Sequence, residues 1–205
     1  MKIGAVFSQA DSGTDPELIR RFARTAEDEG FRHLMAYDHV LKTPHEGREP
    51  KLTGPYTERE TFHDPFVLFG FLSACTQAIE FSTQVMVLPQ RQTALVAKQA
   101  ACLDVLSGGR FRFGIGIGWN PVEYLGLNED FKNRGKRSEE QVEVLRALWA
   151  EPHVAFKGRW RTIDDAGINP LPRRRGRGGR HGGCPRVLGD VRCRVRGGTR
   201  PGPRS

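Results

Sequence analysis

Residues 104–124, DVLSGGRFRFGIGIGWNPVEY, decide the fold. Asp104, Val105 and Leu106 close an apolar helical pattern, and Gly108 and Gly109 supply the positive φ that ends a helix. Phe111, Phe113, Ile115 and Ile117 then alternate with Arg112, Gly114, Gly116 and Gly118, the period-two pattern of a strand. Glycines along one side of a strand admit a second backbone, a barrel interior or a ring system at close range. Trp119, Asn120, Pro121, Glu123 and Tyr124 follow on the loop at the strand's end. The glycines form G-x-G-x-G, not the G-x-G-x-x-G of a dinucleotide fingerprint, and Pro121 is expected to interrupt the turn into a helix. On residue chemistry alone, a glycine-rich buried strand without a ligand fits as well as a ligand-binding one.

Upstream, the pattern repeats strand–helix units. Lys2–Phe7 is a short apolar strand. Thr14 or Asp15 caps the next helix, with Pro16 in its first turn and Leu18, Ile19, Phe22, Ala23 and Ala26 on one face. Gly30 stops that helix, and His33–Tyr37 forms a second strand that runs into Asp38 and His39. A crossover of this kind implies parallel strands. Residues 40–62 form a long loop rich in Pro and Gly, and a loop of that length is usually functional or mobile.

Asp64-Pro65 opens a helix to Cys75, Ile79–Leu88 is the third strand, and Thr93–Leu106 is a helix before the fourth strand. Ser138–Ala150 is a further helix, with Glu139 and Glu140 expected in its first turn, where carboxylates suit the macrodipole. Val154–Phe156 and Trp160–Ile163 read as a hairpin. The order predicts an α/β fold of (β/α) TIM-barrel type with about four βα units, against the eight of a complete barrel. Asp38, His39, Gln84, Trp119 and Asn120 all fall at the C-terminal strand ends, where barrel enzymes place their sites.

Composition changes sharply after Pro172. Residues 1–172 hold 21 Lys and Arg against 23 Asp and Glu, whereas residues 173–205 hold 11 Arg, no Lys and Asp190 alone. The basic character of the chain therefore belongs to the tail. No stretch approaches the roughly 20 apolar residues of a membrane span, and the short apolar N-terminus runs into Asp11 without signal-peptide form. Cys75 and Cys102 sit in apolar helical patterns, and Cys184 and Cys193 have no zinc-like spacing. The expectation is a reducing, cytoplasmic setting without a disulfide or metal framework.

YDHV at 37–40, STQVMVLPQRQTALVAKQAACLDVLSGGRFRFGIGIGWNPVEYLGL at 82–127, RGKRSEEQVEVLRALW at 134–149 and GINPLP at 167–172 resemble the luciferase-like monooxygenase superfamily, its coenzyme F420-dependent branch above all. The resemblance runs in order over residues 1–172. It implies a (β/α)₈ barrel that holds a flavin or deazaflavin at the C-terminal face and performs hydride transfer or monooxygenation on a small organic substrate. Coenzyme F420 is the cofactor it implies, with FMN as the alternative; many relatives form homodimers.

Carried onto matching positions, the resemblance makes His39 the proton donor or acceptor and puts Asp38 beside the ring. An imidazole, ordinarily titrating at about 6.5, can act either way at neutral pH; on residue chemistry alone, a strand-end pair with Asp38 fits equally. Gln84 and Val85 match a strand bulge with a cis peptide behind the ring, and Ile117, Gly118, Trp119 and Asn120 match the loop that borders it. Sugar-phosphate dehydrogenases of this family carry a catalytic Glu where Trp119 stands, so Trp119 is expected to stack on ring or substrate, or to pack as core. Glu123 reads as a loop carboxylate or a solvated one.

The tail, 173–205, offers a reading of another class. Its charge suits phosphate contacts, yet it holds no Phe, Tyr or Trp on which bases could stack. Its Arg, Gly and Pro bias after GINPLP is expected to mark a shifted reading frame, or else a genuine basic tail. Since relatives place much of their cofactor-tail binding in later strands, the resemblance also implies weak cofactor binding by this chain.

Overall fold

The computed structural model describes residues 3–9, 13–49 and 51–173, and the backbone of 186–188. Chain order is β1 (Gly4–Val6), α1 (Pro16–Asp28), β2 (His33–Ala36), α2 (Pro65–Cys75), β3 (Glu80–Thr83), β4 (Met86–Val87), α3 (Thr93–Leu106), β5 (Phe111–Gly116), α4 (Pro121–Gly126), α5 (Arg134–Ala150), β6 (Val154–Lys157), β7 (Thr162–Ala166) and β8 (Arg186–Leu188). β1, β2, β3 and β5 lie side by side, all parallel, as the βαβ pattern predicts. β4 pairs in parallel with the second half of β5, so the predicted third strand is one strand broken at Gln84–Val85. This is the parallel sheet of a (β/α) barrel, open among the described residues. β6 and β7 form the expected antiparallel hairpin.

Helix starts follow local chemistry. Asp15 and Asp64 each accept a hydrogen bond from the first turn of α1 and α2, with proline next in sequence. Gly108 and Gly109 take φ of 70° and 82° after α3, the left-handed geometry that stops it. Ile19, Ala23 and Ala26 of α1, Phe66, Phe69 and Leu72 of α2, and Leu145, Leu148 and Trp149 of α5 bury against one face of the sheet. There they meet Phe111 and Phe113, and Trp149 fixes its indole by donating to the Ala97 carbonyl at 3.0 Å.

The other face of β5 explains its glycines. Thr83 brackets Gly114, donating its hydroxyl to the Gly114 carbonyl at 2.6 Å and accepting from its N–H at 2.9 Å. A methyl group on Gly114 would overlap the Thr83 carbonyl, and one on Gly116 would overlap the Val85 side chain. The close approach that the sequence suggested is thus made by the neighbouring strand itself.

Two expectations are corrected. Pro121 does not interrupt a helix; it occupies the first position of α4, where its missing N–H costs nothing. α5 begins at Arg134, a turn earlier than predicted, so Glu139 and Glu140 sit beyond its first turn. Glu140 instead accepts from the Arg159 and Trp160 amides at 2.6 and 2.9 Å, tying the β6–β7 turn to α5. In the Arg-rich tail, the backbone of Arg186–Leu188 pairs in parallel with β5. The frame-shift and nucleic-acid readings concern 173–205 and otherwise lie outside the described residues.

Away from the strand ends, Glu27 caps the entry to β3. Its carboxylate accepts from the amides of Gln77, Ala78 and Ile79 at 2.5–3.0 Å. Partial burial opposes its charge, yet these amides and Arg110 hold its titration below the ordinary carboxylate range. A carboxylate lowered in this way contributes stability above its unfolded value, about 4.3, and loses it as pH falls through the lower folded value. Urea unfolding of Glu27→Gln between pH 7 and pH 3 should show a shallower acid loss than the wild type; equal pH slopes would refute the assignment.

Candidate functional site

The C-terminal ends of β2, β4 and β5 converge on His39. Its Nδ1 lies 2.9 Å from Glu123 Oε1, and Gln90 Nε2 donates to Glu123 Oε2 at 2.9 Å. Glu123 is only 1% exposed, so its oxygens are engaged by these side chains rather than by water. Asn120 sets the position of Glu123: its Oδ1 caps α4 by accepting from the Val122 amide at 3.0 Å, and its Nδ2 donates to Thr43 at 3.1 Å.

Aromatic rings surround the imidazole. Phe62, Tyr56 and Trp119 lie edge-on at centroid distances of 4.8, 5.3 and 6.0 Å. Tyr56 and Phe62 come from the 40–62 loop, which folds back over the strand ends. Gly54 of the same loop lies flat against Trp119, where a methyl group would overlap the indole. Burial, and then Tyr37, push the Tyr56 phenol up, so it remains a neutral O–H. A small cavity of about 60 Å³ lies between His39, Thr43, Tyr56, Phe62, Asn120 and Glu123. A larger one of about 320 Å³ opens at the ends of β1 and β2, lined by Phe7, Gln9, Tyr37, Tyr56 and Phe62 among others.

The other predicted residues divide. Asp38 is buried and points away from His39's partners: its Oδ2 accepts from the Val87 amide at 2.9 Å and its Oδ1 from Arg91 at 2.6 Å. Arg91 also reaches Asp64 at 2.9 Å. Although burial opposes the guanidinium charge, the two carboxylates hold it above its ordinary range. The Gln84–Val85 peptide is cis, as the resemblance implies, and the Gln84 amide donates to the Ala36 carbonyl, which brings the bulge beside the strand that carries His39. Gly118 takes a φ of 64° and lies against Val87. Ile117 offers its carbonyl to the Tyr124 hydroxyl at 2.6 Å, where burial pushes the phenol up.

Sequence reasoning passed over Gln90 and Arg91 and read Glu123 only as a loop carboxylate or a solvated one. Their signal was polarity within apolar runs. Gln90 and Arg91 interrupt VMVLPQRQTALV, and Glu123 sits between Val122 and the buried Tyr124.

A parallel β/α sheet with its polar cluster at the C-terminal strand ends defines a barrel-enzyme type of architecture. A sequence profile of the luciferase-like monooxygenase family matches residues 2–188, and the chain belongs to that family. The match extends past the composition change at Pro172. An uncharacterized protein of Mycobacterium tuberculosis is 31% identical over 176 residues, covering 81% of this chain and 59% of its own length. An F420-dependent secondary alcohol dehydrogenase in complex with an F420-acetone adduct superposes with a TM-score of 0.65 at 24% identity, over 84% of this chain and 50% of that structure. The oxygenating constituent of 3,6-diketocamphane monooxygenase from Pseudomonas putida, in complex with FMN, gives 0.62 at 17%, over 80% and 43%. The chain thus spans about three fifths of that curated relative and half or less of these structures. No helix among the described residues is long and apolar enough to cross a membrane.

Asp38→Ala should destabilise the fold by about 3–5 kcal/mol, because it strands the buried Arg91 charge. Urea denaturation checks this; a loss below about 1 kcal/mol would show that water or Asp64 alone can satisfy Arg91.

Proposed function

We propose that this chain carries the catalytic end of a hydride-transferring oxidoreductase that acts on a small organic substrate with coenzyme F420. The observation that carries the reading is His39: an imidazole at a barrel strand end, oriented by a buried carboxylate and walled by aromatic rings.

The residues present fit a planar, aromatic cofactor. The 320 Å³ cavity falls at the lower end of the range for small-molecule sites, about 300–1,000 Å³; its walls are largely aromatic, and it shares Tyr56 and Phe62 with the small cavity that His39 and Asn120 line. Tyr37, Tyr56, Phe62 and Trp119 would offer ring faces and edges. The Gln84–Val85 bulge, Ile117, Gly118 and Asn120 would border the ring, and Asp38 would act from behind by fixing the backbone at Val87. Bound, the deazaflavin supplies a carrier for hydride, whereas a flavin would also permit oxygen activation.

His39 is the proton-handling group in this reading. Nδ1 is committed to Glu123, and Nε2 has no hydrogen-bond partner among the described residues. Nε2 is therefore the atom that would take the proton of a substrate hydroxyl as the alcohol is oxidised, or give a proton to the oxygen of a carbonyl as it is reduced. The aromatic collar keeps bulk water from competing for it. Asn120 and Thr43 hold the loop and α4 in register, which fixes the collar's distance from the imidazole.

F420 and FMN both occur with this fold, so the fold does not choose between them. The preference for F420 rests on the sequence resemblance around His39 and the GIGIGWN loop. Titration of the chain with each cofactor at moderate salt, followed by cofactor fluorescence, should give weak, saturable binding of F420 and weaker binding of FMN. Tight binding of FMN with oxygen consumption would replace hydride transfer by monooxygenation.

His39→Ala should slow single-turnover hydride transfer by about 10²–10⁴-fold while changing F420 affinity little. Unchanged transfer in stopped-flow absorbance would remove His39 from the chemistry.

A further inference from the structure

Glu123 is the one carboxylate that the structure seals against the imidazole. It sits on the first turn of α4, a position from which a glutamate commonly folds back to cap its own helix. Here Asn120 already supplies the cap, so the Glu123 side chain is released for other partners. Both of its oxygens are then engaged across the strand ends, Oε1 with His39 Nδ1 and Oε2 with Gln90 Nε2, each at 2.9 Å. Gln90 is itself buried in the short turn of helix Leu88–Gln90 that follows β4. The carboxylate is therefore clamped between two chain segments, the end of β2 and the turn after β4.

We infer that Glu123, held by Gln90, is a positioning residue that fixes the tautomer of His39. The inference rests on the proton-handling role of His39 proposed above. A carboxylate accepts hydrogen bonds and donates none, so the neutral imidazole must carry its proton on Nδ1 to satisfy it. That leaves Nε2 as the lone-pair acceptor. When Nε2 takes a proton, Nδ1–H keeps its bond and the resulting positive ring lies beside a buried negative group. When Nε2 releases that proton to the substrate, the same tautomer returns without rotation of the ring. The arrangement is a carboxylate–histidine pair in which the third group decides which nitrogen works.

The packing also says why a solvated carboxylate would not serve. His39 is wedged edge-on among Tyr56, Phe62 and Trp119, which restrict ring rotation but make no hydrogen bond that distinguishes its nitrogens. Shape alone leaves the flipped ring available; the bond to Glu123 selects between the two.

The test is the protonation pattern of the His39 ring in the full chain, read by two-bond proton–nitrogen correlation with ¹⁵N-histidine at a pH where the ring is neutral. The His39 signals are assigned by their loss in His39→Asn. The wild type should show protonated Nδ1 and bare Nε2. Glu123→Met, of similar length but without an acceptor, should shift the ring toward protonated Nε2. Glu123→Gln should keep Nδ1 protonated, because its amide oxygen can still accept. A wild-type ring protonated on Nε2 overturns the inference by itself, whether or not the methionine variant folds. A Glu123→Met ring identical to wild type also overturns it, since packing would then suffice. If the tautomer behaves as expected while His39→Ala transfers hydride normally, the positioning stands and the catalytic reading of His39 falls.

Discussion

The Asp38 carboxylate is the constraint on which the site depends. It leaves the end of β2, takes the Val87 amide of β4 with one oxygen and the Arg91 guanidinium with both, and through Arg91 reaches the Asp64 cap of α2. Three chain segments separated by long crossovers are thereby fixed to one another at the end of the sheet. Such a buried pair adds little net stability relative to apolar packing, because desolvation offsets most of the attraction. Its value is geometric: with Asp38 immobilised, the next residue, His39, leaves the strand in one direction only.

A second constraint acts through space rather than charge. Thr83 closes on Gly114, Val85 on Gly116 and Val87 on Gly118, so the two strands approach more closely than side chains would allow. The third strand is broken between Thr83 and Met86 and resumes on the same neighbour, β5. The strand interruption and the glycine row are thus one feature seen from its two sides. The loop that follows then brings the Trp119 ring to 6.0 Å from the His39 imidazole.

Chemistry at the strand ends is built from long-range pairings. His39 and Glu123 are 84 residues apart, Gln90 and Glu123 are 33 apart, and Asn120 and Thr43 are 77 apart. Each pair joins a strand end to a loop or a short helix, which is where a barrel tolerates variation without loss of its core. The 40–62 loop adds Tyr56 and Phe62 to this frame as the aromatic wall around His39.

By itself the sequence determined most of the elements, their order and the parallel arrangement of the strands, but not α4, whose first turn is built on Pro121. Apolar periodicity, Asp-Pro helix starts and the Gly108-Gly109 stop are local signals, and local signals act through backbone geometry that each short segment carries with it. The strand-end positions of Asp38, His39, Trp119 and Asn120 were legible for the same reason. The start of α5 was not, because Arg134–Arg137 carry no apolar face and become helical through contacts with Pro89 and Glu129. Nor was the division of labour between Asp38 and Glu123. Both are carboxylates in apolar surroundings, and which one meets the imidazole depends on where β4 and α4 place Arg91 and Gln90. Only the tertiary structure decided that, since burial makes each carboxylate take whichever donors are fixed within reach.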